Sequence, residues 1–327
     1  MDRRAFAMAI GAALVLVPAV GRAQQPLGKI YRIGFLGLPP ASAYASRVEA
    51  LRAGLRDLGY VEGKNIVIEF RWADGNVDRL PGLAAELVRL KVDVLVVHST
   101  TGARVAQQAT TTIPIVMAIG ADAIESGIVQ SLARPGANVT GMTILTPEIY
   151  TKQLELLKGA VPRIARVALI VRRGSPDTGM YLRSTEIAAR SLGIALRVSE
   201  VQRPNEIPGA FAKMAADHVD AIVVANDAVL NANSQAIADL ALRHRLPSTG
   251  GRDLVEAGGL ISYGADSLEL WRHAGLFVDK ILKGAKPGDL PIEQAAKIQL
   301  IINLKTANAL GLTIPQSLLL RADEVIQ

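Results

Sequence analysis

The chain has no cysteine, which excludes disulfides, thiol catalysis, iron–sulfur clusters and lipid attachment at an N-terminal cysteine. Its four histidines, His98, His218, His244 and His273, lie far apart without the spacing of a zinc motif, so no metal or other cofactor is expected. Aromatic residues make up only 4% of the chain and charged residues 20%. No Lys/Arg run is interleaved with aromatics, so the formal charge of +6 reads as a mildly basic surface and not as a nucleic-acid site. Phosphate-loop chemistry is missing too. Arg172-Arg173-Gly174-Ser175 lacks the Gly-Lys-Ser/Thr ending, and Gly34-Phe35-Leu36-Gly37 lacks the third glycine of a dinucleotide fingerprint. No Gly-x-Ser-x-Gly elbow and no evident nucleophile–base pair occur, which argues against an α/β hydrolase-type enzyme.

What the chain does have is apolar residues, 50% of 327, enough for two domains with their own cores. The N-terminus carries export chemistry. Arg3 and Arg4 precede an apolar run from Ala7 to Val17, Pro18 breaks it, and Gly21-Arg22-Ala23 offers a cleavage site. The run is short for a membrane span, so residues 1–23 read as a removable signal peptide. The Arg3-Arg4-x-Phe6 order resembles a twin-arginine signal, with Asp2 and Ala7 as fair matches, and a Sec route stays open. The mature protein is expected in the periplasm.

From Tyr31 onward, strand and helix signals alternate. Apolar runs at Tyr31–Gly37, Asn65–Arg71, Val92–Val97, Ile113–Ile119 and Val139–Leu145 read as strands, each leading toward a helical pattern. The helix after the fourth is expected to run from about Asp122 to Leu132. A second series has strands at Val167–Val171, Ile194–Val201, Val219–Ala225, Gly258–Gly264 and Lys297–Ile302, with helices at 148–160, 206–217, 230–244, 268–282 and 304–310. The pattern predicts an α/β protein of two doubly wound parallel-sheet lobes with a cleft between their strand ends.

Ligands in open α/β sheets sit beyond the carboxyl ends of strands, beside helix N-termini. The clearest such place is the turn of Ser99, Thr100, Thr101 and Gly102, where three successive hydroxyls exceed what one helix cap requires. Ser42, Tyr44 and Asp122 occupy equivalent turns of the first series, and Ser175, Asn226, Asp227 and Tyr263 those of the second. Arg173, Asp177 and Asp266 lie nearby. Each also has an ordinary explanation: Ser, Thr and Asp cap helices, and Tyr263 or Trp72 can fill a core. A carboxylate at Asp227 or Asp122 would offset an amine on a guest whose carboxylate meets the Ser99–Gly102 turn.

Several longer stretches carry a family resemblance. They are Gly59–Ile66 (GYVEGKNI), Arg71–Gly75 (RWADG), Asp78–Pro81 (DRLP), Ala133–Gly141 (ARPGANVTG), Gly258–Gly264 (GGLISYG) and Ile281–Pro291 (ILKGAKPGDLP). Together they resemble the ABC-transporter substrate-binding protein family that includes the TrpX-like binders of tryptophan and tyrosine. That resemblance implies a type I periplasmic-binding-protein fold, with three crossovers near Thr143, Ser262 and Leu290. It divides the chain into an N-terminal lobe (28–142 and 263–289) and a C-terminal lobe (143–262 and 290–327). It also implies a monomeric, non-catalytic protein that captures a small polar solute, an amino acid or related organic acid, by hinge closure. Its partners would be an inner-membrane ABC permease and its ATPase, with no nucleic acid. A periplasmic ligand sensor is the rival reading.

Overall fold

A computed structural model describes residues 29–144 and 146–327; the expected signal segment, residues 1–23, lies outside the described residues. The first series folds as β1 (Tyr31–Gly37), α1 (Ala45–Asp57), β2 (Ile66–Trp72), α2 (Leu80–Arg89), β3 (Val94–His98), α3 (Ser99–Ala109), β4 (Ile115–Gly120) and β5 (Val139–Thr143). The chain continues through α4 (Thr146–Ala160), β6 (Arg166–Arg172), α5 (Thr178–Ser191), β7 (Ala195–Val201), α6 (Ile207–Ala216) and β8 (Ala221–Val224). Then follow α7 (Ala228–Ala232), α8 (Ser234–Arg243), β9 (Ser248–Gly250), α9 (Arg252–Glu256), β10 (Ile261–Ala265) and α10 (Ser267–Leu282). The tail holds β11 (Ile292–Gln294), β12 (Ile298–Asn303), α11 (Leu304–Leu310), α12 (Gln316–Leu319) and β13 (Glu324–Ile326).

These strands form two sheets. The first has the order β11-β5-β4-β3-β1-β2 and is parallel throughout. The second has the order β13-β12-β10-β9-β8-β6-β7, with β10 and β12 its antiparallel pair. β3 is buried along its whole length, as an apolar β-branched strand covered on both faces must be. One face of the first sheet packs Phe35, Val96 and Val116 against Leu55 of α1 and Trp271 of α10. The other packs Leu95, Val97 and Met117 with Leu87 of α2 and Ala103 of α3. The second sheet shares one large core with α4, α5, α6 and α8. Among the described residues, no helix is long and apolar enough to cross a membrane.

The chain passes between the sheets after β5, after β10 and between β11 and β12. Two stretches therefore sit differently from the sequence-based boundaries. Residues 292–294 pair with β5 in the first sheet, and Tyr263–Ala265 run within β10 of the second. Three-residue strands such as β11 exist through their pairing and carry little periodicity of their own.

One expected helix is absent. After β4, residues 121–134 form turns instead. Asp122 accepts hydrogen bonds from the Ile124 and Glu125 N–H groups, starting a helical turn, but Gly127 enters the left-handed region at φ 70°. The N–H groups of Ile128 and Val129 then both return to the Ala123 carbonyl, which closes the turn and buries both side chains. The expected single helix over 230–244 is likewise two, α7 and α8, divided at Asn233, whose side-chain amide donates to the Val229 carbonyl.

α10 returns from the second sheet to lie across α1, and the two backbones touch. A Cβ on Gly54 would lie 2.1 Å from the Arg272 carbonyl oxygen, and one on Gly275 3.0 Å from the Gly54 carbonyl carbon. Gly54→Ala gains about 1 kcal/mol of helix propensity, but the atoms it meets are backbone and cannot swing aside. Overpacking of this kind costs about 1–3 kcal/mol, so Gly54→Ala is expected to lower the urea midpoint of unfolding. An unchanged or raised midpoint would show that α1 and α10 cross less closely.

Candidate functional site

β3 ends at His98 and α3 begins at Ser99 with no residue between them. That abrupt join places Ser99 at φ 68°, a left-handed conformation costing a non-glycine residue about 1–2 kcal/mol. The Ser99 hydroxyl accepts the Gly102 N–H at 3.4 Å. Thr100 Oγ1 accepts the Ala121 N–H at 3.2 Å and so ties α3 to the end of β4. Thr101 Oγ1 accepts from Arg172 Nη2 at 3.1 Å, a bond from the first series to the last residue of β6. The three hydroxyls thus have three separate jobs, of which only the first is local capping.

This turn forms one wall of a cavity between the two sheets, part of it open to solvent. From the first sheet come His98, Ser99, Thr100, Thr101 and Ile119; facing them are Tyr150, Gln153, Asp177, Tyr181, Asn226 and Tyr263. Three buried polar atoms on residues of this wall have no hydrogen-bond partner among the described residues: His98 Nδ1, Gln153 Oε1 and Asp177 Oδ1. Each such atom costs about 1–3 kcal/mol in a finished interior, so their gathering on residues of one cavity singles it out as the candidate site.

The chemistry of the three follows from their other bonds. Gln153 Nε2 donates to the Gly250 and Tyr263 carbonyls at 3.1 and 2.8 Å, which fixes the amide and leaves Oε1 as an acceptor. His98 Nε2 lies 3.0 Å from the Tyr44 hydroxyl, and its ring stacks on Trp271. Burial lowers its pKa to about 3, and the Arg47 charge acts the same way, so the ring is neutral. The Tyr44 hydroxyl has no other partner among the described residues, and either imidazole tautomer leaves Nδ1 without one. Asp177 is an acceptor at the start of α5, yet its carboxylate makes no cap bond there. Burial pushes its pKa up to about 7, with Asp227 adding to the rise and Thr100, Arg104 and Arg172 opposing it.

Of the residues singled out from sequence, Ser99, Thr100, Thr101, Asp177, Asn226, Asp227 and Tyr263 line the cavity. Asp227 is otherwise committed: Oδ2 pairs with Arg172 Nε at 2.9 Å, and Oδ1 caps α7 by accepting the Val229 N–H at 2.8 Å. The Asn226 backbone is held by both cavity tyrosines, its N–H by Tyr150 and its carbonyl by Tyr181. The remaining candidates stand outside the wall. Ser42 is exposed on a 3-10 turn before α1, and Gly102 is buried within α3. Asp122 caps the turn after β4, and Ser175 is buried in the β6–α5 connection, its N–H on the Arg172 carbonyl. Tyr44 is buried behind His98 and reaches the cavity only through that ring.

Sequence reasoning passed over Tyr150, Gln153, Tyr181 and Arg47. The first three lie on helices, away from strand ends, although Tyr150 and Gln153 stand three residues apart on one helical face. Arg47, on α1, covers the Tyr44 ring at 4.6 Å and pairs with Asp253 of α9 across the cleft.

A histidine whose folded pKa lies below its unfolded value costs stability once the unfolded chain takes up the proton. The folded protein should therefore lose stability as pH falls from about 6.5 toward about 3. Urea unfolding of the wild type should lose up to ~1.4 kcal/mol more per pH unit across this window than His98→Gln does. Equal slopes would show that His98 titrates freely.

The chain matches the ABC transporter substrate binding protein family over residues 41–326. A tyrosine-binding protein of Clostridioides difficile (strain R20291) is 27% identical over 259 residues, 79% of this chain and 74% of that protein. A solved Streptococcus pneumonia ABC domain in complex with L-Trp is 28% identical with a TM-score of 0.84, covering 90% of this chain and 99% of its own. A conserved domain protein from Vibrio cholerae reaches TM-score 0.85 at 28% identity, covering 91% and 100%. The two-sheet α/β architecture is that of type I periplasmic binding proteins, shared with more distant solved solute-binding proteins. With the fold, the cavity and these matches in agreement, the chain belongs to the ABC transporter substrate binding protein family.

Proposed function

We propose that this protein is the exported solute receptor of an ABC importer and captures an amino acid or related organic acid between its two sheets. The observation that carries the reading is the interlobe cavity with buried, unpartnered polar atoms contributed from both sides. His98 offers an unpartnered nitrogen of a neutral ring, and Gln153 and Asp177 offer oxygens, a combination that suits a solute bearing both an acid and an amine. Ile119, Ile144, Ile149 and the tyrosine rings add apolar surface for a side chain. The L-Trp-bound and tyrosine-binding relatives support the amino-acid class.

Each sheet with its helices acts as one lobe, and the three connecting passages serve as the hinge. Among the described residues, the pairs Arg47–Asp253, Arg183–Glu125, Arg172–Thr101 and Thr100–Asp177 cross the cleft. The Arg183–Glu125 pair is solvent-exposed and contributes little. Few strong bonds hold the lobes together, so a bound solute can decide between open and closed forms. The closed, monomeric receptor then presents both lobes to a membrane permease and its ATPase, after export directed by residues 1–23.

Calorimetric titration of the chain from Gln24 onward against L-amino acids and small organic acids tests the reading. At least one should bind tighter than millimolar, and binding by none of them would contradict it. Gln153→Leu should weaken that binding by about 1–3 kcal/mol, roughly five- to 150-fold. An unchanged affinity would remove Gln153 from the site.

A further inference from the structure

We propose that Asp177 is the residue that selects solutes carrying a cationic primary amine. This rests on reading the cavity as the solute site and names the group that gives it selectivity. Among the acidic residues at helix and turn starts near the strand ends, Asp177 alone has a buried carboxylate oxygen without a partner among the described residues, its other bond being to the Thr100 hydroxyl. Asp122, Asp227 and Asp266 all occupy helix or turn starts and all accept backbone N–H groups there. Asp177 occupies the equivalent place before α5, makes no such bond, is only 6% exposed, and has Oδ1 without a partner.

The surrounding charges do not neutralise it. Arg172, at the end of β6, is held by Asp227 and Thr101, and Arg104, on α3, donates to the Ser126 carbonyl. Asp227, before α7, adds a second negative charge, and Tyr150 of α4 and Tyr181 of α5 keep their protons because burial raises their pKa values. Thr100, on α3, supplies a hydroxyl. Among the described residues, Asp177 has no ion-pair partner. A neutral donor from the solute would leave a buried carboxylate uncompensated, whereas an ammonium group satisfies both its charge and its hydrogen-bonding capacity.

The same arrangement gives binding a pH dependence. Asp177 is pushed up to about 7 in the closed cleft, so an amine must meet its ionised form. Affinity for an amine-bearing solute should fall as pH drops below about 7, approaching tenfold per pH unit in the limit.

The test is calorimetry of the chain from Gln24 onward with L-tyrosine, L-tryptophan and L-leucine. Each is compared with its des-amino acid: 3-(4-hydroxyphenyl)propionate, 3-indolepropionate and 4-methylvalerate. The wild type should bind the best amino acid at least a hundredfold tighter than its des-amino partner. Asp177→Asn should erase that preference, bind the des-amino acid no more weakly than the wild type does, and lose the pH dependence between 5 and 7. Retained binding of the des-amino acid also reports that the variant is folded. Asp177 is overturned as the selector if the wild type binds a des-amino acid as tightly as the amino acid. It is equally overturned if Asp177→Asn keeps the preference, or if only solutes without an amine bind. If none of the six binds, the amino-acid reading of the cavity fails, and the assignment of Asp177 fails with it.

Discussion

Arg172 is a guanidinium buried at 3% exposure between two sheets, and the arrangement of the cleft depends on how it is held. Its Nε pairs with Asp227 and its Nη2 reaches Thr101, so one side chain joins the end of β6, the start of α7 and the opening turn of α3. A buried ion pair is weak evidence of stability, because desolvating both charges offsets most of their attraction. Its consequence here is geometric and electrostatic. It commits one buried cation and one carboxylate of the cleft to each other, and leaves Asp177 as a buried acid without an ion-pair partner among the described residues.

The second constraint is the meeting of β3, β4 and α3. The register shifts between Val97 and His98, and again between Met117 and Gly120, where the two central strands reach the cavity. Such irregularities re-aim side chains at the ends of parallel strands. They turn His98 toward Tyr44 and Trp271 on one side while leaving Nδ1 on a cavity residue, and they bring Thr100 against Ala121. The strained Ser99 backbone belongs to the same feature, since the helix starts where the strand stops.

Much of this frame was legible in the sequence, because buried parallel strands are long apolar β-branched runs and their carboxyl ends are where α/β sheets put ligands. The Ser99–Thr101 turn and Asn226 were found that way. The distribution of roles was not legible. Whether Asp227 or Asp177 faces a guest depends on Arg172, 55 residues from Asp227, which binds one and not the other. Gln153 lies within α4 and acquires its orientation only from the Gly250 and Tyr263 carbonyls of the second sheet. The helix expected after Asp122 fails because Gly127 and the burial of Ile128 and Val129 favour a closed turn, a tertiary effect that local pattern does not carry.

The central claim is that the two sheets close on a small solute held by the polar atoms between them. Small-angle scattering of the chain from Gln24 onward, with and without a saturating amino acid that calorimetry shows to bind, measures that closure. The account predicts a smaller radius of gyration in the bound protein, as the cleft shuts across Arg47–Asp253 and Arg172–Thr101. The same radius with and without bound solute would contradict it.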